Sequence, residues 1–210
     1  MPPTDWPLAI LATTICVYWA TVLLLVAYKR ARFGQSAGLW PRRAKERRLW
    51  LIIGPVVLAW ITLPLIAWLA PSSWNRALLQ SSLYEPLRWL AAGLAIAFYL
   101  RTFACWIQMG RSWSMAIVPG QKTALVTSGI YGWVRHPIYA LSLGLMTCSV
   151  LVLPSWPMLV LMTFHFIGFS RKAQYEETYL TKEFGPEYEA YCRRVGRFLP
   201  RWRVPQTQRA

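Results

Sequence analysis

Two long runs without a charged residue most constrain how this chain can fold. Residues 8–27 form a run of 20 and residues 49–70 a run of 22, and neither contains Asp, Glu, Lys or Arg. A helix needs about 20 apolar residues to cross the roughly 30 Å hydrocarbon core of a bilayer. Both runs therefore predict transmembrane helices, and they exclude an ordinary soluble domain and a disordered chain.

Two further apolar stretches lie in the second half of the chain. Residues 87–109 form a third run that contains Arg101, and residues 138–170 form a fourth, interrupted by Pro154-Ser155-Trp156-Pro157. Because 33 residues are too many for one span and proline does not continue a helix, the fourth run predicts a helical hairpin. The predicted fold is all-α: a polytopic membrane helix bundle of about five transmembrane helices with a C-terminal helical hairpin.

The basic residues predict the orientation of these helices. The chain has 23 Lys and Arg against 8 Asp and Glu, a net charge of +15, and basic residues accumulate in cytoplasmic loops. The loop after the first run contains eight of them, the loop at 71–85 contains only Arg76, and the tail at 171–210 contains nine. We therefore expect an integral, multi-pass protein of a prokaryotic plasma membrane, with its N-terminus outside and its C-terminus in the cytoplasm.

Several residues are interpreted as structural. The four cysteines are spread singly, which predicts neither disulfides nor a metal site. The net charge alone would suit a nucleic-acid-binding protein, but such a protein would not need apolar runs of membrane-spanning length. His165 is interpreted as a polar contact inside the bundle and Arg88 as a plain residue of the outer boundary. Arg101 either snorkels to the cytoplasmic face or lines an acceptor cavity. Tryptophans near the predicted membrane surfaces are interpreted as anchors: Trp6, Trp40, Trp50, Trp74 and Trp156.

Polar residues that could carry chemistry are concentrated around the hairpin. They divide the chain into an N-terminal part, residues 1–86, with two helices and a basic loop, and a core, residues 87–210. The segments that flank the hairpin should meet at the inner membrane face, because a hairpin brings its ends together. There Glu176 and Glu177, with neighbouring tyrosine rings, would suit a cation such as an adenosyl sulfonium.

Several motifs in this core resemble a known family of membrane enzymes. The string Leu-Val-Thr-Ser-Gly-Ile-Tyr-Gly-Trp-Val-Arg-His-Pro-Ile-Tyr at residues 125–139 is followed, after the hairpin, by Glu176-Glu177, Phe184-Gly185 and Leu199-Pro200. Over residues 113–200 this order closely resembles the isoprenylcysteine carboxyl methyltransferase family and its phospholipid methyltransferase relatives.

The resemblance implies a non-Rossmann site for S-adenosyl-L-methionine at the cytoplasmic face, with S-adenosyl-L-homocysteine as the product. It implies that Leu125 and Val126 lie against the cofactor, that Tyr131 helps to hold it, and that Glu176 is its acidic contact. No metal ligand is implied. The full set of implied cofactor-binding residues is Thr123, Ala124, Leu125, Val126, Gly129, Tyr131, His136, Pro137, Ile138, Tyr139 and Glu176.

The residues that the resemblance would place next to the methyl acceptor differ from the family pattern. The family's carboxyl methyltransferases usually have Arg where this chain has Lys172, and His where it has Thr123. A lysine is a point charge and does not reproduce a bidentate guanidinium clamp on a carboxylate. Lys172 or the adjacent Arg171 could orient a carboxylate acceptor, whereas an amine acceptor would need a base, for which Glu177 and His136 are the candidates.

One main functional hypothesis and two alternatives follow. The main hypothesis is an integral membrane methyltransferase that uses S-adenosylmethionine and acts on a lipidic or prenylated acceptor, most similar to isoprenylcysteine carboxyl methyltransferases. The alternatives are a phospholipid (ethanolamine) N-methyltransferase and a catalytically inactive membrane scaffold or lipid-binding relative. The expected partners are the lipid bilayer and the acceptor, and no nucleic acid.

Overall fold

The computed structural model describes residues 5–34, 37–38, 44–70, 83–117 and 124–201. Four residues named from the sequence, Trp40, Trp74, Arg76 and Thr123, lie outside these ranges. The described chain is helical, without a β-strand, which confirms the predicted all-α class. Its α-helices are α1 (Trp6–Phe33), α2 (Ala44–Leu69), α3 (Glu85–Met109), α4 (Pro137–Val152), α5 (Trp156–Phe184) and α6 (Pro186–Arg194).

The first three helices have the predicted membrane character. Each of α1, α2 and α3 is long and apolar enough to cross a bilayer. The arm α4 is apolar but has only 16 residues. The arm α5 has 29 residues, a length of about 43 Å, so its charged second half extends beyond a hydrocarbon core of roughly 30 Å. The total of five spans stays a prediction for the two hairpin arms.

Local residue choices explain where these helices begin and end. The Asp5 carboxylate accepts a hydrogen bond from the Leu8 amide at 3.1 Å and caps α1. Gly34, with φ of 63°, ends the same helix in the left-handed region. The hairpin turn is confirmed, because α4 ends at Val152 and α5 begins at Trp156.

Small residues let α3 and α4 approach closely. Ala91, Ala92 and Ala95 on α3 are almost completely buried. On α4, Gly144 faces the ring of Phe98, and a Cβ atom at Gly144 would lie 2.7 Å from the ring. Small residues at such contacts permit the close backbone packing on which helix association in membranes depends.

Several polar side chains inside the bundle are paired across helices. His165 on α5 is 2% exposed, and its Nε2 atom lies 3.0 Å from the Ser142 hydroxyl on α4. The Trp60 indole on α2 donates to the Ser149 hydroxyl at 2.9 Å. The interpretation of His165 as a polar contact within the bundle is confirmed.

The interpretation of Arg88 as a plain boundary residue is wrong. Arg88 is 4% exposed, and its Nη2 atom lies 2.6 Å from the Asp5 carboxylate. Its Nε atom donates to the carbonyl oxygen of Val152 at 3.0 Å. A buried guanidinium is tolerated because these groups pair it, and the contact ties the start of α1 and α3 to the end of α4.

Candidate active site

The Arg-His-Pro motif before α4 is held by the segment that follows α6. The Arg135 amide donates to the Gly196 carbonyl oxygen at 2.8 Å, and the His136 amide donates to that of Arg197 at 3.0 Å. An isolated parallel bridge pairs Val134 with Gly196. These backbone bonds fix the motif at the end of the bundle where α4 begins.

Glu177 on α5 joins this motif to the C-terminal segment. Its carboxylate lies 2.9 Å from Arg135 Nη2, 2.5 Å from Arg197 Nη2 and 3.3 Å from His136 Nε2. Burial alone would raise the pKa of the Glu177 carboxyl, but hydrogen bonds from these three side chains outweigh burial and hold the pKa well below its usual range. Glu177 is therefore a charged structural clamp, which disfavours its predicted use as a base.

Glu176, the preceding residue, points to different partners. Its carboxylate accepts a hydrogen bond from the Tyr139 hydroxyl, and it lies 3.6 Å from His136 Nδ1. The rings of His136 and Tyr139 are stacked, with centroids 5.3 Å apart. The His-Pro-x-Tyr motif and the acidic pair therefore form one contiguous surface, as the motif order predicts.

A cavity of about 270 Å³ opens beside this surface, close to the lower end of the roughly 300–1,000 Å³ typical of small-molecule sites. It brings together most of the residues predicted for the site. The predicted residues that line it are Ala124, Leu125, Val126, Tyr131, His136, Pro137, Ile138, Tyr139, Lys172 and Glu176.

Lys172 lies in this cavity between two aromatic rings. Its Nζ atom is 5.1 Å from the centroid of the Tyr139 ring and 5.8 Å from that of the Trp50 ring. Burial lowers the pKa of the Lys172 ammonium, while the carboxylates of Glu176 and Glu46 raise it to a smaller extent. Lys172 and Glu176 therefore lie one helical turn apart on α5, with the lysine amine between two aromatic rings.

Three predicted site residues do not line the cavity. Arg171 is exposed, and Glu177 forms the clamp. Gly129, with φ of +57°, instead packs on Gln108, whose side-chain amide occupies the space that a Cβ atom at Gly129 would need. Arg101 is also exposed and does not contribute to the wall, so the structure favours the snorkelling alternative for this residue.

The remaining walls of the cavity come from residues that the motifs do not indicate. Trp50, interpreted as a membrane anchor, instead lines the site, and no sequence signal separates a cavity-facing from a lipid-facing tryptophan. Other contributions come from the first two helices and from the stretch after α3: Tyr18, Trp19, Val22, Ile53, Gly54, Val57, Ser112, Trp113, Ser114, Met115 and Ile117. The cavity therefore has a charged end beside the motif that continues into an apolar part between helices.

A buried hydroxyl in the cavity wall adds a further feature of the site. Tyr131 is 5% exposed, and its hydroxyl has no hydrogen-bond partner within the described part of the chain. Its carbonyl oxygen accepts a hydrogen bond from the Tyr191 hydroxyl at 2.6 Å, which fixes the backbone. An unpartnered buried hydroxyl on a cavity wall is suited to hydrogen bonding with a ligand. In the same described ranges, no group of three His, Cys, Asp or Glu side chains could hold a metal ion.

Residues 90–182 match the isoprenylcysteine carboxyl methyltransferase (ICMT) family model. The chain is 34% identical over 119 residues to the protein-S-isoprenylcysteine O-methyltransferase of Schizosaccharomyces pombe, which covers 51% of this chain and 46% of the relative. It is 30% identical over 145 residues to the protein of that name from Xenopus laevis, with 62% and 49% covered. It is 35% identical over 100 residues to the cobalt-zinc-cadmium resistance protein CzcN of Cupriavidus metallidurans, with 44% of each chain covered.

These matches coincide with the part of the chain that forms the charged end of the cavity. The chain spans about half the length of the curated relatives it matches. The matched residues include most of α3, the motif before α4, the whole hairpin turn and both Lys172 and Glu176. Residues 90–182, which contain the motif before α4 and the hairpin, are therefore similar to the isoprenylcysteine carboxyl methyltransferase family.

Proposed function

We propose that this protein is a membrane-embedded methyltransferase that transfers a methyl group from S-adenosylmethionine to a lipidic or prenylated acceptor. One observation carries the proposal: a single cavity joins the charged motif residues to an apolar part between α1 and α2. Such a cavity suits a water-soluble donor that enters from the cytoplasm and an apolar acceptor that enters from the bilayer. Methyl transfer requires both to be aligned and water to be excluded.

The residues at the charged end fit the chemical groups of this cofactor. When bound, S-adenosylmethionine supplies an electrophilic methyl group on a positively charged sulfur. The Glu176 carboxylate would bind the cofactor's ammonium group, and the Tyr139 ring offers an electron-rich face to a cation. The free hydroxyl of Tyr131 could bond a polar group of the cofactor, and Leu125 and Val126 provide apolar wall.

The acceptor side favours a carboxylate over an amine. Lys172 places a positive charge in the cavity, which attracts an anionic acceptor and repels a protonated amine. An amine would also have to lose a proton before attack. Glu177 is held in its charged form by three partners, and both ring nitrogens of His136 face carboxylates. Neither is well placed to accept a proton from an acceptor, whereas a carboxylate needs no base.

The named relatives support the same acceptor class. The yeast and frog proteins are named for O-methylation of isoprenylcysteine, and a prenylcysteine combines a carboxylate with a long apolar chain. We extend this acceptor to the present chain, with Lys172 orienting the carboxylate as a point charge. An ethanolamine phospholipid is the alternative acceptor.

The proposal is tested with purified protein in lipid nanodiscs and methyl-labelled S-adenosylmethionine. The acceptors are a prenylcysteine analogue and a total extract of membrane lipids, assayed separately, and the product is then treated with base. We expect label in the prenylcysteine that base releases as methanol, which identifies a methyl ester. Base-stable label in the lipid fraction would instead support the amine alternative, and absence of both cofactor binding and label would support the scaffold alternative.

Variants of Lys172 test the acceptor side separately. We expect Lys172→Met to retain affinity for S-adenosylhomocysteine and to lose turnover, because only the acceptor would lose its counter-charge, while Lys172→Arg should retain turnover. Lys182→Met removes an exposed charge from the same helix and is the matched control. Full turnover of Lys172→Met would contradict the assigned role.

A further inference from the structure

A buried lysine lies outside the family-matched segment, near the C-terminal end of α1. Lys29 is 3% exposed, although the sequence groups it with the basic residues that determine orientation. Its Nζ atom donates to the carbonyl oxygen of Arg111 at 2.9 Å and to that of Trp113 at 2.5 Å. A buried ammonium is tolerated only when it is paired, so this position is built to bind the backbone after α3.

The stretch that Lys29 binds forms part of the cavity wall. We call residues 111–117 the wall segment. Beyond the short turn Gly110–Ser112, its backbone is in neither helix nor strand, so contacts from other elements determine its position. Five of its seven residues line the cavity: Ser112, Trp113, Ser114, Met115 and Ile117.

A second contact connects the wall segment to the loop after α1. The Met115 amide donates to the carbonyl oxygen of Ala37 at 2.7 Å. The next residue, Gly38, has φ of +69°, and a Cβ atom there would lie 2.6 Å from the carbonyl oxygen of Ala116. Only glycine fits this close approach in this conformation. Two independent contacts therefore hold the wall segment against the N-terminal part of the chain.

We propose that Lys29 is a positioning residue that holds the wall segment in place and thereby sets the shape of the cavity. It does not line the cavity and acts through the backbone of Arg111 and Trp113. That Lys29 orders the wall segment does not depend on what the protein binds. Its effect on ligand affinity rests on the proposed function.

Hydrogen exchange, measured by mass spectrometry on the full chain in nanodiscs, tests the first part. We expect the amides of residues 111–117 to exchange about tenfold faster in Lys29→Met, because a charged hydrogen bond to this backbone is lost. Lys29→Arg should restore much of the protection. Arg30→Met removes a charge from the adjacent, exposed position and should leave the exchange unchanged. Gly38→Ala, which disturbs the second contact, should accelerate exchange in the same segment.

Calorimetric binding of S-adenosylhomocysteine tests the second part. We expect about tenfold weaker binding in Lys29→Met and partial recovery in Lys29→Arg. Unchanged exchange in Lys29→Met and Gly38→Ala would overturn the anchoring. Faster exchange with unchanged affinity would overturn the positioning role. If the wild type binds no S-adenosylhomocysteine, the proposed function fails, and the exchange rates alone decide whether Lys29 orders the wall segment.

Discussion

Glu176 and Glu177 are adjacent in the chain but lie in different electrostatic surroundings. Glu176 faces the cavity and Tyr139, whereas Glu177 is bound by Arg135 and Arg197. Successive residues of a helix point about 100° apart, so one helix can direct neighbouring carboxylates to different partners. The motif indicates that both residues belong to the site, but their separate roles depend on side chains from the C-terminal segment, which no local pattern predicts.

Substitution of Glu176 tests the cofactor side of the site. We expect Glu176→Gln to weaken S-adenosylhomocysteine binding at least about tenfold, because the cofactor's ammonium group loses its counter-charge, while the protein stays folded. Isothermal titration calorimetry measures the affinity, and circular dichroism checks the helix content. Glu183→Gln, at an exposed position of α5, is the control. Equal affinity in the wild type and Glu176→Gln would contradict the assignment.

At the scale of elements, the clamp around Glu177 joins α5, the motif before α4 and the segment after α6. The pKa of Glu177 is lower in the folded protein than in the unfolded chain. As the pH falls, the unfolded chain therefore takes up a proton at this carboxylate before the folded protein does. The clamp therefore contributes its full stability above the unfolded pKa of about 4.3, and this contribution falls progressively as the pH drops towards the folded pKa.

Thermal unfolding of the wild type and Glu177→Gln, measured in detergent between about pH 7 and pH 3, tests this dependence. At neutral pH we expect the variant to be less stable by about 2 kcal/mol, the order typical of hydrogen bonds to a charged group. The difference should shrink as the pH falls below about 4.3, because the wild-type carboxylate begins to lose its advantage. A difference that is independent of pH would contradict the clamp's charged character.

Arg88 contacts Asp5 and Val152 at the end of the bundle opposite to the Arg-His-Pro motif. This contact can be tested by substitution. We expect Arg88→Met to lower the free energy of unfolding by about 2 kcal/mol, because a carboxylate and a helix-end carbonyl lose a charged donor. Cofactor affinity should not change, since Arg88 does not line the cavity. Arg101→Met, at an exposed position of the same helix, is the control for removing an arginine. Equal stability of the two variants would argue against the contact.

Hydropathy and proline positions predict the helices and the turn whose structure depends on residues close together in the sequence. The apolar runs correspond to α1, α2 and α3, and Pro154 to Pro157 mark the turn between α4 and α5. The wall segment was not predicted, because its position depends on Lys29 and Ala37, more than 70 residues earlier in the chain. Trp50 was misinterpreted because the hydropathy of an apolar run does not show whether a given side chain faces lipid or a cavity.

At the scale of the whole molecule, orientation in the membrane remains a prediction from the basic residues. Reporter fusions after residues 40 and 76 and at the C-terminus test it in a bacterial host. We expect green fluorescent protein to fluoresce after residue 40 and at the C-terminus, because both positions are predicted to be cytoplasmic. Alkaline phosphatase should be active only after residue 76. The reverse pattern would contradict the predicted orientation and place the charged end of the cavity outside the cell.

The cavity crosses the boundary of the sequence shared with the family. Its charged end belongs to residues 90–182, whereas Trp19, Trp50 and Ile53 in its apolar part lie before the matched segment. Mutations in the first two helices can therefore reshape the pocket for the apolar chain without touching the motif residues. Under the proposed function, residues around the apolar chain of the acceptor lie largely before residue 90, whereas Lys172 and the residues proposed for the methyl donor lie within 90–182. Proteins that share residues 90–182 can thus differ in the apolar part of the cavity while they keep the same charged end.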